Sequence, residues 1–382
     1  PNGIAHFLEH KVFVQEEDPQ PEDFYGNNGA MCNAYTTFKN TTYLFSGTDN
    51  IEENVEYLLD FVQILQEELI RARVLPENYD FESHKELVPM QPGEEKDIIV
   101  QEINMCDDRP IDILYEKIRK NAIKVNPFRE SIIGTEKEVR SITKELLEKC
   151  YQRFYNPSNM FLVVAGNFDK DKILEVIKNN QDKKQFKDIG KIKTKKYNEP
   201  DEVVKDMEVV KCNTNIPKMA YTIKVNIDQF EMDNRRLSIY MYVIFNLLFG
   251  DTTKFDEEAK KDGIITNSLY YNILDIDSHF VISLINSTDK YEELIKKIEN
   301  QFKNIKFSEE ELNRKKKVLM SNEIFSYENI EMVNEMIVDN IIFDGRIEED
   351  IIDIIDSLNI DELMDIASKI DFDNRSIVVL RK

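Results

Sequence analysis

The stretch GIAHFLEHKVF, residues 3–13, places two histidines four residues apart, with a glutamate directly before the second. A helix over this stretch brings His6 and His10 one turn apart on the same face, close enough for both imidazoles to bind one metal ion. Glu9 flanks that face, and a carboxylate beside a metal can accept the proton of a bound water. The spacing therefore predicts two metal ligands and a general base. The alternative is a pair of partly buried, hydrogen-bonded histidines.

A catalytic zinc ion needs a third protein ligand, and the stretch GEEKDIIVQEINMC, residues 93–106, offers one. As a helix it places Glu102 on an otherwise apolar face, where an unpaired carboxylate would be costly. A cation would offset that cost, and the alternative is an ion pair with a basic residue elsewhere. Glu95 lies two turns earlier on the same face, where it could orient a ligand or the water. Its alternative is a favourable position near the start of a helix.

Composition limits the class of protein. With 382 residues the chain is long enough for two domains. Its net charge of −23 argues against nucleic acid and anionic membrane surfaces as partners, and is compatible with basic peptides. No apolar run approaches the length that crosses a bilayer. The four cysteines lie far apart. This is typical of reduced thiols in an intracellular protein, and we expect a cytoplasmic location.

Hydrophobic spacing and turn residues predict a mixture of helices and strands in the first half. Residues 74–93 contain several prolines and predict an irregular excursion. The predicted elements are a hairpin over GAMCNAYTTFKNTTYLFSG (29–47), helices over 51–71, 94–106 and 110–124, a helix capped by Thr143, and a buried strand between two turns over 156–169.

The second half repeats this order of elements. A Lys-rich segment at 182–201 reads as a linker. After it we predict strands near 203–226 and 268–286, helices near 233–248, 288–304, 308–342 and 360–370, and a closing strand in NRSIVVLRK. The repeated order predicts an α+β fold of two homologous halves, each a mainly antiparallel sheet with helices packed on one side. The predicted domains are 1–185, which carries the metal, a linker over 186–204, and 205–382, which is homologous but lacks the metal.

HFLEH is the inverted zinc motif of the inverzincins. It is followed, in family order, by NAYTTFKNTTYLFSG, EEKDIIVQEI and NPFRESIIGTEKEVRSITKELLEKCYQRFYNPSNMFLVVAGNF. In these stretches the chain resembles the insulinase/pitrilysin family of zinc metallopeptidases, which includes the mitochondrial processing peptidase subunits. It is most similar to the short bacterial members with two homologous halves. The resemblance is dense over residues 3–170 and looser beyond them.

The resemblance implies a zinc-dependent endopeptidase that hydrolyses short unstructured peptides with one Zn²⁺ per chain. By position, His6, His10 and Glu102 match the zinc ligands of the family. Glu9 matches the general base that activates the zinc-bound water. Glu95 matches a second acid seven residues before the glutamate ligand.

The resemblance also implies a substrate-binding strand and a partner. Asn33, Ala34 and Tyr35 match a strand whose edge pairs with bound peptide, although an ordinary core strand is the simpler interpretation of the residues alone. Lys260 and Thr266 stand where many members carry an Arg and a Tyr that hold substrate. The family begins with strands ahead of the zinc helix, so we expect a first half that is truncated at its N-terminus.

Two assemblies and two functions remain open at this point. The resemblance implies either a homodimer or a heterodimer with a zinc-less homologous subunit. The alternative to a peptidase is a non-proteolytic scaffold or peptide-binding subunit of a heterodimeric member. The intact HFLEH favours the peptidase, and the replaced Arg/Tyr pair favours the subunit.

Overall fold

A computed structural model describes residues 1–13, 19–63, 92–184, 186, 189–190, 192–347 and 351–382. The predicted excursion at 74–93 lies outside this part of the chain, except for its last two residues, as does the end of the predicted helix 51–71. Contacts divide the protein into two compact units. The first unit is Pro1–Met105, Ser131–Lys195 and Val333–Val338, and the second is Cys106–Glu130, Lys196–Met332 and Asp339–Lys382.

The described residues form an α+β fold, as predicted. In chain order the helices are α1 Ile4–Phe13, α2 Pro21–Asn27, α3 Ile51–Val62, α4 Pro92–Asp108, α5 Pro110–Ala122, α6 Glu136–Ser141, α7 Lys144–Phe154, α8 Lys170–Asp182, α9 Asn234–Phe249, α10 Lys254–Lys261, α11 Tyr291–Phe302, α12 Glu309–Ser326, α13 Ile330–Asp344, α14 Ile351–Asp356 and α15 Ile360–Lys369. The strands are β1 Ala30–Thr36, β2 Thr41–Gly47, β3 Met207–Lys211, β4 Lys218–Asn226, β5 Tyr270–Asp275, β6 His279–Ser287 and β7 Arg375–Arg381.

In the first unit, β1 and β2 form the predicted antiparallel hairpin, with Ala30 opposite Gly47 and Thr36 opposite Thr41. Helix α1 is apolar on two sides, so it packs in two directions at once. Phe7 joins a buried cluster with Ile99 and Ile103 of α4. Leu8 and Val12 join a second cluster beside the hairpin, α2, α3 and α7. The polar residues of α1 are thereby held between α4 and the hairpin.

The start of α1 depends on a close backbone contact. Gly3, just before the helix, has a φ of +83°, which is a conformation that L side chains rarely adopt. A Cβ on Gly3 would lie 2.4 Å from the carbonyl oxygen of Ile133. Any other residue here would therefore force the two segments apart, and it would shift the helix that carries both histidines.

The second unit contains a five-stranded sheet in the order β3-β7-β4-β6-β5. The pair β3–β7 is parallel and the other pairs are antiparallel. A large core cluster joins α9, α11 and α15 to β4, β6 and β7. Helix α5 also packs against β4 and β7, with Leu114 and Ile118 buried. Strands β4 and β6 are accordingly buried on both faces of the sheet.

The units differ from the predicted domain boundaries in two places. Residues 106–130, including α5, belong to the second unit, and so does the end of the predicted 186–204 linker. Glu199 in that linker is buried and bonds to Lys224 Nζ at 2.7 Å. Its carboxylate also accepts the backbone N–H groups of Lys124, Val125 and Asn126. This paired carboxylate lies inside the second unit, ahead of residue 205, where the second domain is predicted to begin.

Two predictions of secondary structure are wrong. Residues 160–165 form no strand, and Phe161 is half exposed. A strand requires a hydrogen-bonded neighbour, and none of the described strands pairs with these residues. The predicted helix at 308–342 is two helices, α12 and α13. The break falls at Asn329, whose side chain accepts the backbone N–H groups of Glu331 and Met332 and so caps α13.

Candidate metal centre

The structure brings together the three residues that the sequence predicts as metal ligands. His6 Nε2 lies 3.5 Å from Glu102 Oε2, and His10 Nε2 lies 3.7 Å from the same oxygen. The two imidazole rings have their centroids 4.7 Å apart. One ligand atom from each of the three residues lies within 4.8 Å of the other two. Helix α1 supplies the histidines from successive turns, and α4 supplies the glutamate.

These distances suit a tetrahedral zinc ion. Bonds of about 2.1 Å from zinc to nitrogen or oxygen place neighbouring ligand atoms roughly 3.4 Å apart. The two separations between histidine nitrogens and the Glu102 carboxylate are close to that value. Two imidazoles and one carboxylate are also a donor set of catalytic zinc, which keeps a fourth position open for water. The residues present therefore fit a catalytic zinc ion.

Glu95 contacts the candidate ligand His10 through Nδ1, the ring nitrogen that does not face Glu102. Its Oε1 lies 2.9 Å from His10 Nδ1, and the side chain is only 2% exposed. A carboxylate at this position fixes the proton on Nδ1 and leaves the Nε2 lone pair directed toward the metal position. The sequence predicted an orienting role for Glu95, and the geometry is suited to that role. The second oxygen, Oε2, is buried and has no hydrogen-bond partner among the residues that the structure describes.

Burial and neighbouring charges shift the pKa values of the two histidines in opposite directions. Burial lowers the pKa of His6, which favours the neutral imidazole that a metal needs. Burial also acts to lower the pKa of His10, but hydrogen bonds to Glu102 and Glu95 outweigh it and raise that pKa to about 9. Glu102 and Glu95 thus stabilise the protonated, positively charged form of His10. A divalent cation bound at Nε2 would supply the same charge in place of the proton.

The predicted base lies on the same helix, next to the ligands. Glu9 is 9% exposed, and burial raises the pKa of its carboxyl group while a hydrogen bond from Thr36 opposes that change. Sequence reasoning missed Thr36, whose hydroxyl donates to Glu9 Oε2. It singled out Asn33, Ala34 and Tyr35 and stopped one residue short. A threonine at a strand end carries no pattern that points to a helix 27 residues away.

The predicted substrate strand is the middle of β1. Asn33, Ala34 and Tyr35 lie opposite Leu44, Tyr43 and Thr42 of β2. Among the described strands, β1 pairs with β2 alone, so its other edge faces no strand there. An edge of this kind presents the backbone groups that strand addition uses.

Lys260 and Thr266 lie in the second unit and are not held alike. Lys260 Nζ lies 2.7 Å from Asp256 Oδ2 and donates to Ser268 Oγ at 2.8 Å. Thr266 is exposed. The side chain of Lys260 is therefore engaged within its own unit.

Comparison with known proteins gives the family. A family model described as Insulinase (Peptidase family M16) matches residues 1–136, and one described as Peptidase M16 inactive domain matches residues 141–319. A relative named an uncharacterized zinc protease of Bacillus subtilis is 36% identical over 274 residues, which are 71% of this chain and 59% of that protein. The chain thus spans less than two thirds of that relative.

Two further similarities concern structure and assembly. The crystal structure of an M16-like peptidase from Alicyclobacillus acidocaldarius matches with a TM-score of 0.86 and 28% identity, over 100% of this chain and 86% of that one. A relative named "probable mitochondrial-processing peptidase subunit beta", from Arabidopsis thaliana, is 26% identical over 185 residues, which are 46% of this chain and 30% of that protein.

No helix among the described residues is long and apolar enough to cross a membrane. The first of the two M16 models covers the segment that contains α1, the hairpin β1–β2 and α4, and the second runs from α7 into α12. The zinc-suited residues lie on α1 and α4, within the segment that the first of these models matches. The chain therefore belongs to the M16 (insulinase) family of peptidases.

Proposed function

We propose that this protein is a zinc-dependent endopeptidase that hydrolyses short unstructured peptides, with one zinc ion per chain. The observation that carries the proposal is the grouping of His6, His10 and Glu102, with one ligand atom of each within 4.8 Å of the others. The zinc-protease names of relatives add to it. The chain spans 59% of the Bacillus subtilis relative, so the name of that relative alone does not assign an activity to this chain.

Each side chain of the site has a role that its position supports. His6, His10 and Glu102 would hold the zinc ion, which when bound polarises the scissile carbonyl and lowers the pKa of a water molecule. Glu9 accepts the proton of that water and passes it to the leaving amine. Glu95 orients the His10 ring through Nδ1.

The hairpin supplies the proposed binding surface for substrate. An extended peptide adds to the open edge of β1 through backbone hydrogen bonds, at Asn33, Ala34 and Tyr35. Peptides without secondary structure have free backbone groups for this pairing, whereas a folded segment does not. The net charge of −23 favours basic peptides.

The experiment is cleavage of a mixed pool of short unstructured peptides, read by mass spectrometry, with zinc supplied. The parent protein is compared with Glu9→Gln, which keeps the side-chain volume and removes the base. We expect cleavage by the parent and a loss of roughly 10²- to 10⁴-fold in the variant, the usual contribution of a general base. A chelator should abolish cleavage by the parent, and added zinc should restore it.

Equal cleavage by the parent and Glu9→Gln would assign the activity to a contaminant and reject this mechanism. No cleavage by either, with zinc bound, would favour the second candidate, a non-proteolytic scaffold or peptide-binding subunit. The inactive-domain model over residues 141–319 and the relative that is named a subunit are the observations that favour it.

A homodimer, or a heterodimer with a zinc-less homologous subunit, and a cytoplasmic location are part of the proposal.

A further inference from the structure

The site contains a hydroxyl group that the proposed reaction has not yet used. Thr36 is the last residue of β1, and its Oγ1 donates a hydrogen bond to Glu9 Oε2. The same Oγ1 lies 3.2 Å from Oγ1 of Thr41, its cross-strand partner on β2. A hydroxyl has one proton to donate. Since Thr36 gives its proton to Glu9, it is Thr41 that donates to Thr36, and the hydrogen bonds run in one direction toward the carboxylate.

The strand around this pair is fixed against the helix that carries Glu9. Tyr43 lies two residues after Thr41, so its side chain points to the same face of β2. Its ring stacks on Phe13 of α1 at 5.9 Å between centroids, and its hydroxyl lies 2.7 Å from that of Tyr155. The hairpin end is thus held to α1 by aromatic packing. The Thr36 hydroxyl has little freedom to leave Glu9.

We propose that Thr36 is a positioning residue that holds the Glu9 carboxylate in its productive orientation through the hydrogen bond to Oε2. This inference rests on the proposed role of Glu9 as general base. One carboxylate oxygen is occupied by the hydroxyl, which leaves Oε1 to accept the proton from the attacking water. A base that is fixed before substrate arrives needs no reorganisation in the transition state.

The position of Thr36 in the chain gives this contact a second consequence. Thr36 directly follows Tyr35, the end of the proposed substrate-binding stretch. A peptide that pairs with β1 lies along the strand whose final residue contacts the base. Binding along the strand and alignment of Glu9 therefore involve neighbouring residues of one rigid element. The hydrogen bond should affect the chemical step and leave peptide binding almost unchanged.

The test compares Thr36→Val with Thr36→Ser. Valine matches the shape of threonine but has no hydroxyl, and serine keeps the hydroxyl. On one fluorogenic peptide, we expect Thr36→Val to lower kcat roughly tenfold with KM within about twofold, since a loss confined to the transition state changes kcat alone. Thr36→Ser should stay within about threefold of the parent kcat. The matched control is Thr42→Val, whose side chain lies on the opposite face of β2 and accepts a hydrogen bond from Asn40 Nδ2.

Two measurements separate positioning from damage to the fold. Zinc affinity and melting temperature should be the same in Thr36→Val and Thr42→Val, and a crystal structure of metal-free Thr36→Val should show the Glu9 side chain in a new rotamer. A parental kcat in Thr36→Val, or an equal loss in Thr36→Ser, would overturn the inference. The Glu9→Gln variant keeps the two proposals apart. If it cleaves as fast as the parent, the proposed function fails, whereas a parental Thr36→Val beside an inactive Glu9→Gln rejects the role of Thr36 alone.

Discussion

The two units use the same order of elements for different purposes. In the first unit, α1 is followed by the short helix α2, the hairpin β1–β2 and helix α3. In the second unit, α9 is followed by α10, the hairpin β5–β6 and α11. Helix α9 buries eight residues, and with one exception, a tyrosine that carries a hydroxyl, they are purely apolar. Helix α1 buries His6 and Glu9 among its apolar residues.

The hairpins and the cores differ in the same way as the helices. Strand β6 is buried over eight of its nine residues, whereas β2 has no fully buried residue. The large cluster of the second unit contains more buried residues than any of the three clusters described in the first unit. Polar side chains inside a unit displace apolar contacts that would stabilise it. The comparison shows that the first unit buries ionisable side chains on α1, where the second unit buries almost only apolar ones on α9.

The largest expected effect is on the stability of the large apolar cluster in the second unit. Phe245 of α9 is fully buried in the large cluster, so Phe245→Ala should lower the free energy of unfolding by about 3–5 kcal/mol. Phe7 of α1 belongs to a smaller cluster with Ile99 and Ile103, which flank Glu102. Phe7→Ala should cost less stability and weaken zinc binding. Urea denaturation followed by circular dichroism and a zinc competition titration measure the two quantities.

A stronger effect of Phe245→Ala than of Phe7→Ala on zinc affinity would contradict this division of roles. Such a result would mean that the candidate metal ligands are positioned by α9 and not by the packing of α1 on α4. Melting curves of both variants with and without zinc are the control, because bound zinc should stabilise Phe245→Ala by more than it stabilises Phe7→Ala.

The next effect concerns a buried charge that supports the second unit. Burial acts to raise the pKa of Glu199, but the backbone N–H groups of residues 124–126 and the Lys224 ammonium lower it to about 2, from an ordinary value of 4.5. A depressed carboxyl pKa contributes stability above the unfolded-state value, and that stability is lost as the pH falls through the folded-state value. Glu199→Gln should therefore be less stable than the parent at pH 7, by about 2–3 kcal/mol.

The difference in stability between the parent and Glu199→Gln should shrink as the pH falls from about 4.5 to about 2. Denaturation at a series of pH values measures it. Glu257, which is exposed on α10, provides the matched control, and Glu257→Gln should show almost no difference at any pH. A constant difference between parent and Glu199→Gln across this window would show that the charge of Glu199 has no part in stability.

The smallest expected effect sharpens the description of the metal centre. Glu95→Gln removes the charge behind His10 and keeps an oxygen that can accept from Nδ1. Zinc should bind roughly 10- to 100-fold more weakly, which is typical of the loss of a group that orients a metal ligand. Asp97→Asn on the exposed side of α4 should leave the affinity unchanged. Equal zinc affinities for the parent and Glu95→Gln in a competition titration would show that Glu95 has no part in zinc binding.

Local patterns predicted much of the fold. The hairpin at 29–47, the helices that became α4 and α5, and the Thr143 cap all follow from signals within a few residues. The strand predicted at 160–165 failed because pairing depends on a neighbouring strand and not on composition. The burial of Glu199, within the predicted linker, was not foreseen for a similar reason. Its lysine-rich surroundings indicate exposure, while its partners lie far away in the sequence.

The site was predictable where its residues share one helix. His6, Glu9 and His10 are set by the spacing along α1, and the acids of α4 follow from an apolar stripe interrupted by carboxylates. The contact from Glu95 to His10 was foreseen only as an orienting role, since its partner depends on how two helices pack. Thr36 was missed because the hydrogen bond to Glu9 joins a strand end to a helix.

The chain passes between the two units several times, since residues 106–130 leave the first unit and residues 333–338 return to it. Cutting the gene once, near the predicted linker, would therefore not yield two independent domains. A fragment that ends at residue 185 would carry α5 without β4 and β7, so Leu114 and Ile118 would lose their apolar cover. The two halves are similar as architectures, but as folding units they are interlaced. The second unit includes residues 106–130 from the first half of the sequence, and the first unit includes residues 333–338 from the second half.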